Sequence, residues 1–134
     1  MSALTRWIAG LFRRGESSGC RRETVASRLA EFEAGGEPVI AAAVLDDGVW
    51  REGKLKAGRY RLVWWMPGQA GVLDFSRRDG VVESLGGVDG GNGWTIDPNM
   101  VVLHYRRGPD VLHLAVPPAE LELVGRILPL PQQR

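Results

Sequence analysis

Two groups of residues in this 134-residue chain have the types and spacing to do chemistry. The first is Lys54, Lys56, Arg59 and Arg61, inside the stretch VWREGKLKAGRYRLVWWM (49–66). Side chains alternate between the two faces of a strand, so two short cationic runs joined by a turn at Ala57-Gly58 would gather all four charges on one surface. That surface suits phosphates or anionic headgroups; the plainer reading is a solvated face that blunts an exposed hairpin. The second group is His104 and His113, on the predicted strands 99–106 and 110–116. Pairing those strands sets the two imidazoles opposite each other, away from Leu103, Tyr105, Leu112 and Leu114. A zinc site usually takes three or four protein ligands, and no Cys or carboxylate stands near in sequence to complete one. The pair reads as solvent-facing, with no metal.

Other candidates carry less. The glycines of 86–93 (GGVDGGNG) are spaced unlike a phosphate-binding GxGxxG and precede no predicted helix. Asp89 and Asn92 fall short of the roughly six to eight oxygens that calcium takes. Ser76, Ser84 and Thr95 have no neighbouring base in a recognisable motif, and no carboxylate pair suggests acid–base work. Cys20 is the only cysteine, which excludes a disulfide framework and a thiolate cluster. The expectation is a non-enzymatic domain with no catalytic residue and no cofactor.

The elements that must hold these residues follow from periodicity. Hydrophobic content of 44% and charge of 25% are those of a globular domain. A net charge of +1 gives no global attraction for nucleic acid. Residues 1–36 read as a helical extension. In its first part Leu4, Trp7, Ile8, Leu11 and Phe12 recur at helical spacing, flanked by Arg6, Arg13 and Arg14. An apolar stripe with aromatic rings and bordering arginines suits a helix lying in a membrane interface; equally, it suits packing on the domain or on a partner. Gly10 and Arg13-Arg14 cut the apolar run too short for a secretory signal. A second helix is predicted over 21–36, with Val25, Leu29 and Phe32 on one face, Thr24 at its start and Gly35-Gly36 at its end.

From 37 to 128 the pattern predicts a β domain, with 129–134 as a tail. Strands are expected at 38–46, in the hairpin 49–66, and at 70–76, 81–85, 99–106 and 110–116, with a weaker one at 94–96. Asp46-Asp47-Gly48, Pro67-Gly68, Asp79-Gly80 and Gly108-Pro109 supply turns between them. Without crossover helices the strands must be antiparallel. The expected fold is therefore mainly β, a sandwich or partly open barrel of seven to eight strands capped by a C-terminal helix over 117–128. Within the hairpin, matching apolar residues predicts Leu55 opposite Tyr60 and Trp50 opposite Trp65. Leu55, Tyr60, Leu62 and Trp64 then face the core, while the tryptophan pair and the four cations face outward.

Up to seven antiparallel strands closed by one amphipathic helix resemble the pleckstrin-homology-like architecture over residues 38–128. Locally, REGKLKAGRYRLVWW (51–65) is similar to the opening hairpin of such domains. Trp50, Gly53, Arg59, Tyr60 and Trp64 also resemble the pattern of an actinobacterial, membrane-anchored family of unknown function. The resemblance implies membrane association, with Lys54, Arg59 and Arg61 standing where many such domains place phosphate-binding cations. The resulting expectation is a cytoplasmic adaptor or scaffold, peripheral at the inner face of a bacterial membrane. Two alternatives stand beside it. One is a protein-interaction or self-association module using the N-terminal stripe. The other is single-strand nucleic-acid binding through Trp50, Trp65 and the cations, against which the net charge argues.

Overall fold

The computed structural model describes residues 24–88 and 96–131. The predicted N-terminal stripe, the Asp89–Asn92 pair, Thr95 and Cys20 lie outside them. Helix α1 (Val25–Glu33) starts at Thr24, whose hydroxyl accepts from the Ser27 N–H while the Ser27 hydroxyl accepts from the Thr24 N–H, each at 3.0 Å. This reciprocal cap satisfies donors that a helix start leaves unpaired. The helix ends at Ala34, and Gly35 follows at φ +97°, a left-handed turn that glycine makes without steric cost. Leu29 and Phe32 pack against the main core, on the face their spacing predicts.

Seven strands follow: β1 (Val39–Asp46), β2 (Val49–Ala57), β3 (Arg61–Trp65), β4 (Leu73–Ser76), β5 (Val81–Gly87), β6 (Val101–Arg107) and β7 (Asp110–Val116). Their order across the sheet is β4-β3-β2-β1-β7-β6-β5, with every described pairing antiparallel. Each strand lies beside its neighbours in the chain, and the last pairs with the first. Only β4 and β5, consecutive in sequence, are left unpaired, so the sheet curls into a half-barrel with a seam between them. A 3-10 turn (Pro118–Glu120) leads into helix α2 (Leu121–Ile127). The predicted helix over 117–128 is thus shorter in its α-helical part, because the two prolines set up a tighter first turn. Leu123, Val124, Ile127 and Leu128 are buried against the inner face, each contributing about 1.5–3 kcal/mol of apolar burial.

The inner face carries Ile40, Leu55, Leu62, Trp64, Phe75, Leu103, Tyr105 and Leu114. A second, smaller cluster on the outer face joins Ala43, Trp50, Ile96, Val102 and Ala115, with Leu45, Val88 and Met100 around it. Ile96 sits in a bend rather than a strand; residues 94 and 95 of the predicted weak strand lie outside the described residues.

The β2–β3 hairpin departs from the predicted register by four residues. Leu55 faces Trp64 and Lys54 faces Trp65, while Tyr60 lies in the turn, 66% exposed. Tyr60 is therefore not a core residue, and Trp50 does not meet Trp65. Trp50 pairs instead with Leu45 of β1 and is buried, 7% exposed. The cause is Trp64. Its indole Nε1 donates to the Ala42 carbonyl at 3.1 Å, and its ring lies over Gly53, where a Cβ would come 2.8 Å from the ring and 2.3 Å from the Trp65 carbonyl oxygen. A slip by an even number preserves the faces, so Leu55, Leu62 and Trp64 remain core as predicted.

The seam is closed by side chains. The Tyr105 hydroxyl donates to the Ser76 carbonyl at 2.6 Å and accepts from the Ser76 N–H at 3.1 Å, and Arg107 Nη1 donates to the Asp74 carbonyl at 3.3 Å. Backbone groups of edge strand β4 that a ladder would have paired are thereby satisfied from β6. No helix among the described residues is long and apolar enough to cross a membrane.

Candidate anion-binding face

Pairing Lys54 with Trp65 and Lys56 with Val63 sets the side chains of Lys54, Lys56, Arg61, Val63 and Trp65 on the outer face of β2 and β3. Arg59 and Tyr60 stand in the intervening turn, which Gly58 closes by donating its N–H to the Arg61 carbonyl at 3.0 Å. All four predicted cations are thus brought to one hairpin, through a register other than the predicted one. Lys56 Nζ lies 3.6 Å from Glu37, and Arg61 Nη1 lies 3.5 Å from Asp74. Among the described residues, Lys54 and Arg59 form no ion pair. Exposed pairs of this kind contribute roughly 0–1 kcal/mol, so Lys56 and Arg61 can exchange their partners for another anion at little cost. Trp65 is half-buried beside Lys54. Trp50, needed for a stacking pair, is packed in the second cluster, its indole Nε1 without a hydrogen-bond partner among the described residues. The two-tryptophan platform for nucleic-acid bases does not form.

His104 faces His113 as the sequence predicts. Their ring centroids are 4.7 Å apart with 65° between the planes, and Ser84 Oγ lies 2.7 Å from His104 Nδ1. Burial, and second the neighbouring His104, hold the His113 imidazole below its ordinary pKa. No group of three or more His, Cys, Asp or Glu is arranged to hold a metal ion among the described residues.

Two features escaped the sequence reading. At the end of the half-barrel that holds the β1–β2 turn, a cleft of about 580 Å³ opens between Val44, Trp64, Met66, Leu73 and Leu112. Arg51 and Asp46 stand on its wall, with Arg51 Nε 2.9 Å from the Asp46 carboxylate. The other is an ion pair between Arg28 of α1 and Glu120 of the 3-10 turn, with Glu120 only 3% exposed. Both assemble residues distant in sequence, which no local pattern announces. Compared with known proteins, the chain matches no family model and no curated sequence.

Proposed function

We propose that the chain is a non-enzymatic adaptor of pleckstrin-homology-like fold that works at an anionic membrane surface, on the inner face of a bacterial cell membrane. The observation that carries this reading is the gathering of Lys54, Lys56 and Arg61 on one face of β2–β3, with Arg59 and the exposed Tyr60 at its tip. A phenol ring at headgroup depth beside cations is the chemistry of interfacial contact. Support for the fold label comes from the seven-stranded antiparallel order and the helix packed against β2 and β3. Because β1 precedes the basic hairpin, the patch stands one strand later than in the family it resembles. Its case therefore rests on its own geometry. The N-terminal stripe of Leu4, Trp7, Ile8, Leu11 and Phe12, with Arg6, Arg13 and Arg14, supplies a second contact, since stable anchoring generally takes two weak signals.

Co-sedimentation tests the reading. Full-length protein is mixed with vesicles of phosphatidylglycerol and phosphatidylcholine, or of phosphatidylcholine alone. It should pellet only with the anionic vesicles, and deletion of residues 1–19 should abolish pelleting. Lys54→Glu with Arg59→Glu should weaken binding by about fivefold or more per cation lost, because each basic residue near such a surface is worth about 1 kcal/mol. Full-length protein that stays in the supernatant with both vesicle types ends the membrane reading.

A further inference from the structure

On the outer face of β5–β7, Ser84, His104 and His113 occupy adjacent positions across three strands. The membrane reading makes no use of them. We propose that His104 and His113 form a two-imidazole site for a divalent late first-row transition ion of the copper, nickel and zinc class, with Ser84 as its positioning residue.

Three observations carry the proposal. The first is the spacing of the rings. Two imidazoles bound to one ion at about 2.0–2.1 Å, at an angle between square and tetrahedral, hold their centroids roughly 4.5–5.2 Å apart. The observed separation is 4.7 Å, with an edge of one ring facing the other.

The second is the role of Ser84. Its hydroxyl engages His104 Nδ1 at 2.7 Å, which leaves Nε2 as the free donor atom; metal-binding histidines are held in this way through their other nitrogen. Ser84 reaches His104 only because the pairing of β5 with β6 shifts between Val82 and Ser84. In an unshifted ladder Glu83 would face His104 and Ser84 would stand level with Leu103, whose side chain is in the inner core. A bulge that re-aims one side chain is a recurrent device beside functional sites.

The third is the setting. Both histidines stand on strands paired along their whole length, a more rigid base than a loop. Arg106, two residues along β6 on the same face, is held by Glu83 at 2.5 Å, which offsets its repulsion of an incoming ion. With two protein ligands, the ion keeps open positions for water.

The test is a titration of the full-length chain, in a Cys20→Ser background that removes the lone thiol as a competing ligand. Zinc(II) is followed through the imidazole Cε1–H resonances, and copper(II) through its visible absorption. One ion per chain should shift both imidazoles together, with copper bound more tightly than nickel or zinc, as the order of divalent affinities requires. His104→Gln and His113→Gln should each abolish the saturable shift of the remaining ring. Ser84→Ala should lower zinc affinity about tenfold or more with the backbone amide spectrum of the apo protein retained, a loss that a purely structural serine would not cause. Imidazole resonances unmoved by excess zinc overturn the proposal, as does equal zinc affinity in wild type and His113→Gln.

Discussion

At Gly53 the hairpin depends on the lack of a single carbon. A Cβ there would sit 2.3 Å from the Trp65 carbonyl oxygen and 2.8 Å from the Trp64 ring, well inside contact distance, and the backbone atom has no rotamer by which to yield. The missing side chain lets the Trp64 indole lie flat enough to reach the Ala42 carbonyl, on the residue paired with Gly53. Gly53→Ala should therefore destabilise the protein by about 2–3 kcal/mol, the cost of forcing a well-packed contact apart, readable as a lower midpoint in urea. A midpoint unchanged from wild type would show that Trp64 does not set the register. The change should also alter the fluorescence of Trp64, because its indole loses a fixed hydrogen bond.

Among the elements, α1 shows how few contacts hold a helix to this sheet. Leu29 and Phe32 pack on the core, Arg28 pairs with the buried Glu120, and Glu33 accepts from Arg126 of α2 at 2.8 Å. The last of these is exposed and contributes little. The Arg28–Glu120 pair is different, since removing the cation strands a carboxylate that is 3% exposed. Arg28→Met alone should cost about 3 kcal/mol or more, whereas Arg28→Met combined with Glu120→Leu should cost much less, because an apolar pair needs no solvation. A double-mutant cycle by thermal unfolding separates the two; additive losses would mean that the pair is not coupled. The β2–β3 hairpin presents the opposite case. Its outer cations meet only exposed partners, so they are available for function while its inner residues are committed to the fold.

For the whole molecule, the decisive point is the seam between β4 and β5. The chain winds as a meander in which consecutive strands pair by the shortest route except β4 with β5, and β1 with β7 completes the turn. Closure of the gap falls to Tyr105, whose ring packs edge-on against Phe75 at 5.2 Å and whose hydroxyl serves both polar groups of Ser76. Tyr105→Phe keeps the ring and removes the bridge. It should destabilise the fold by about 1–3 kcal/mol, the cost of leaving part-buried backbone groups unpaired, and speed amide exchange at Ser76 above all. Unchanged exchange at Ser76 with an intact fold would refute this role.

The sequence by itself determined the seven strands, the helices that follow Thr24 and Pro117, the antiparallel sense, the inward face of Leu55, Leu62 and Trp64 and of Leu103, Tyr105, Leu112 and Leu114, and the opposition of His104 to His113. These follow from period, turn chemistry and the length of short loops, all of which act locally. It also brought Lys54, Lys56, Arg59 and Arg61 to one hairpin. Only the tertiary structure decided the register of that hairpin, because the competing alignments preserve the same faces and differ in where one large ring finds space. Tertiary packing also decided that Trp50 is buried and Tyr60 exposed, since the cover over Trp50 comes from Ile96, Val102 and Ala115, far along the chain. The Arg28–Glu120 pair, the Tyr105 bridge and the Ser84 bulge have the same origin. Each joins groups whose proximity is set by the closing of the sheet, and no spacing along the chain encodes it.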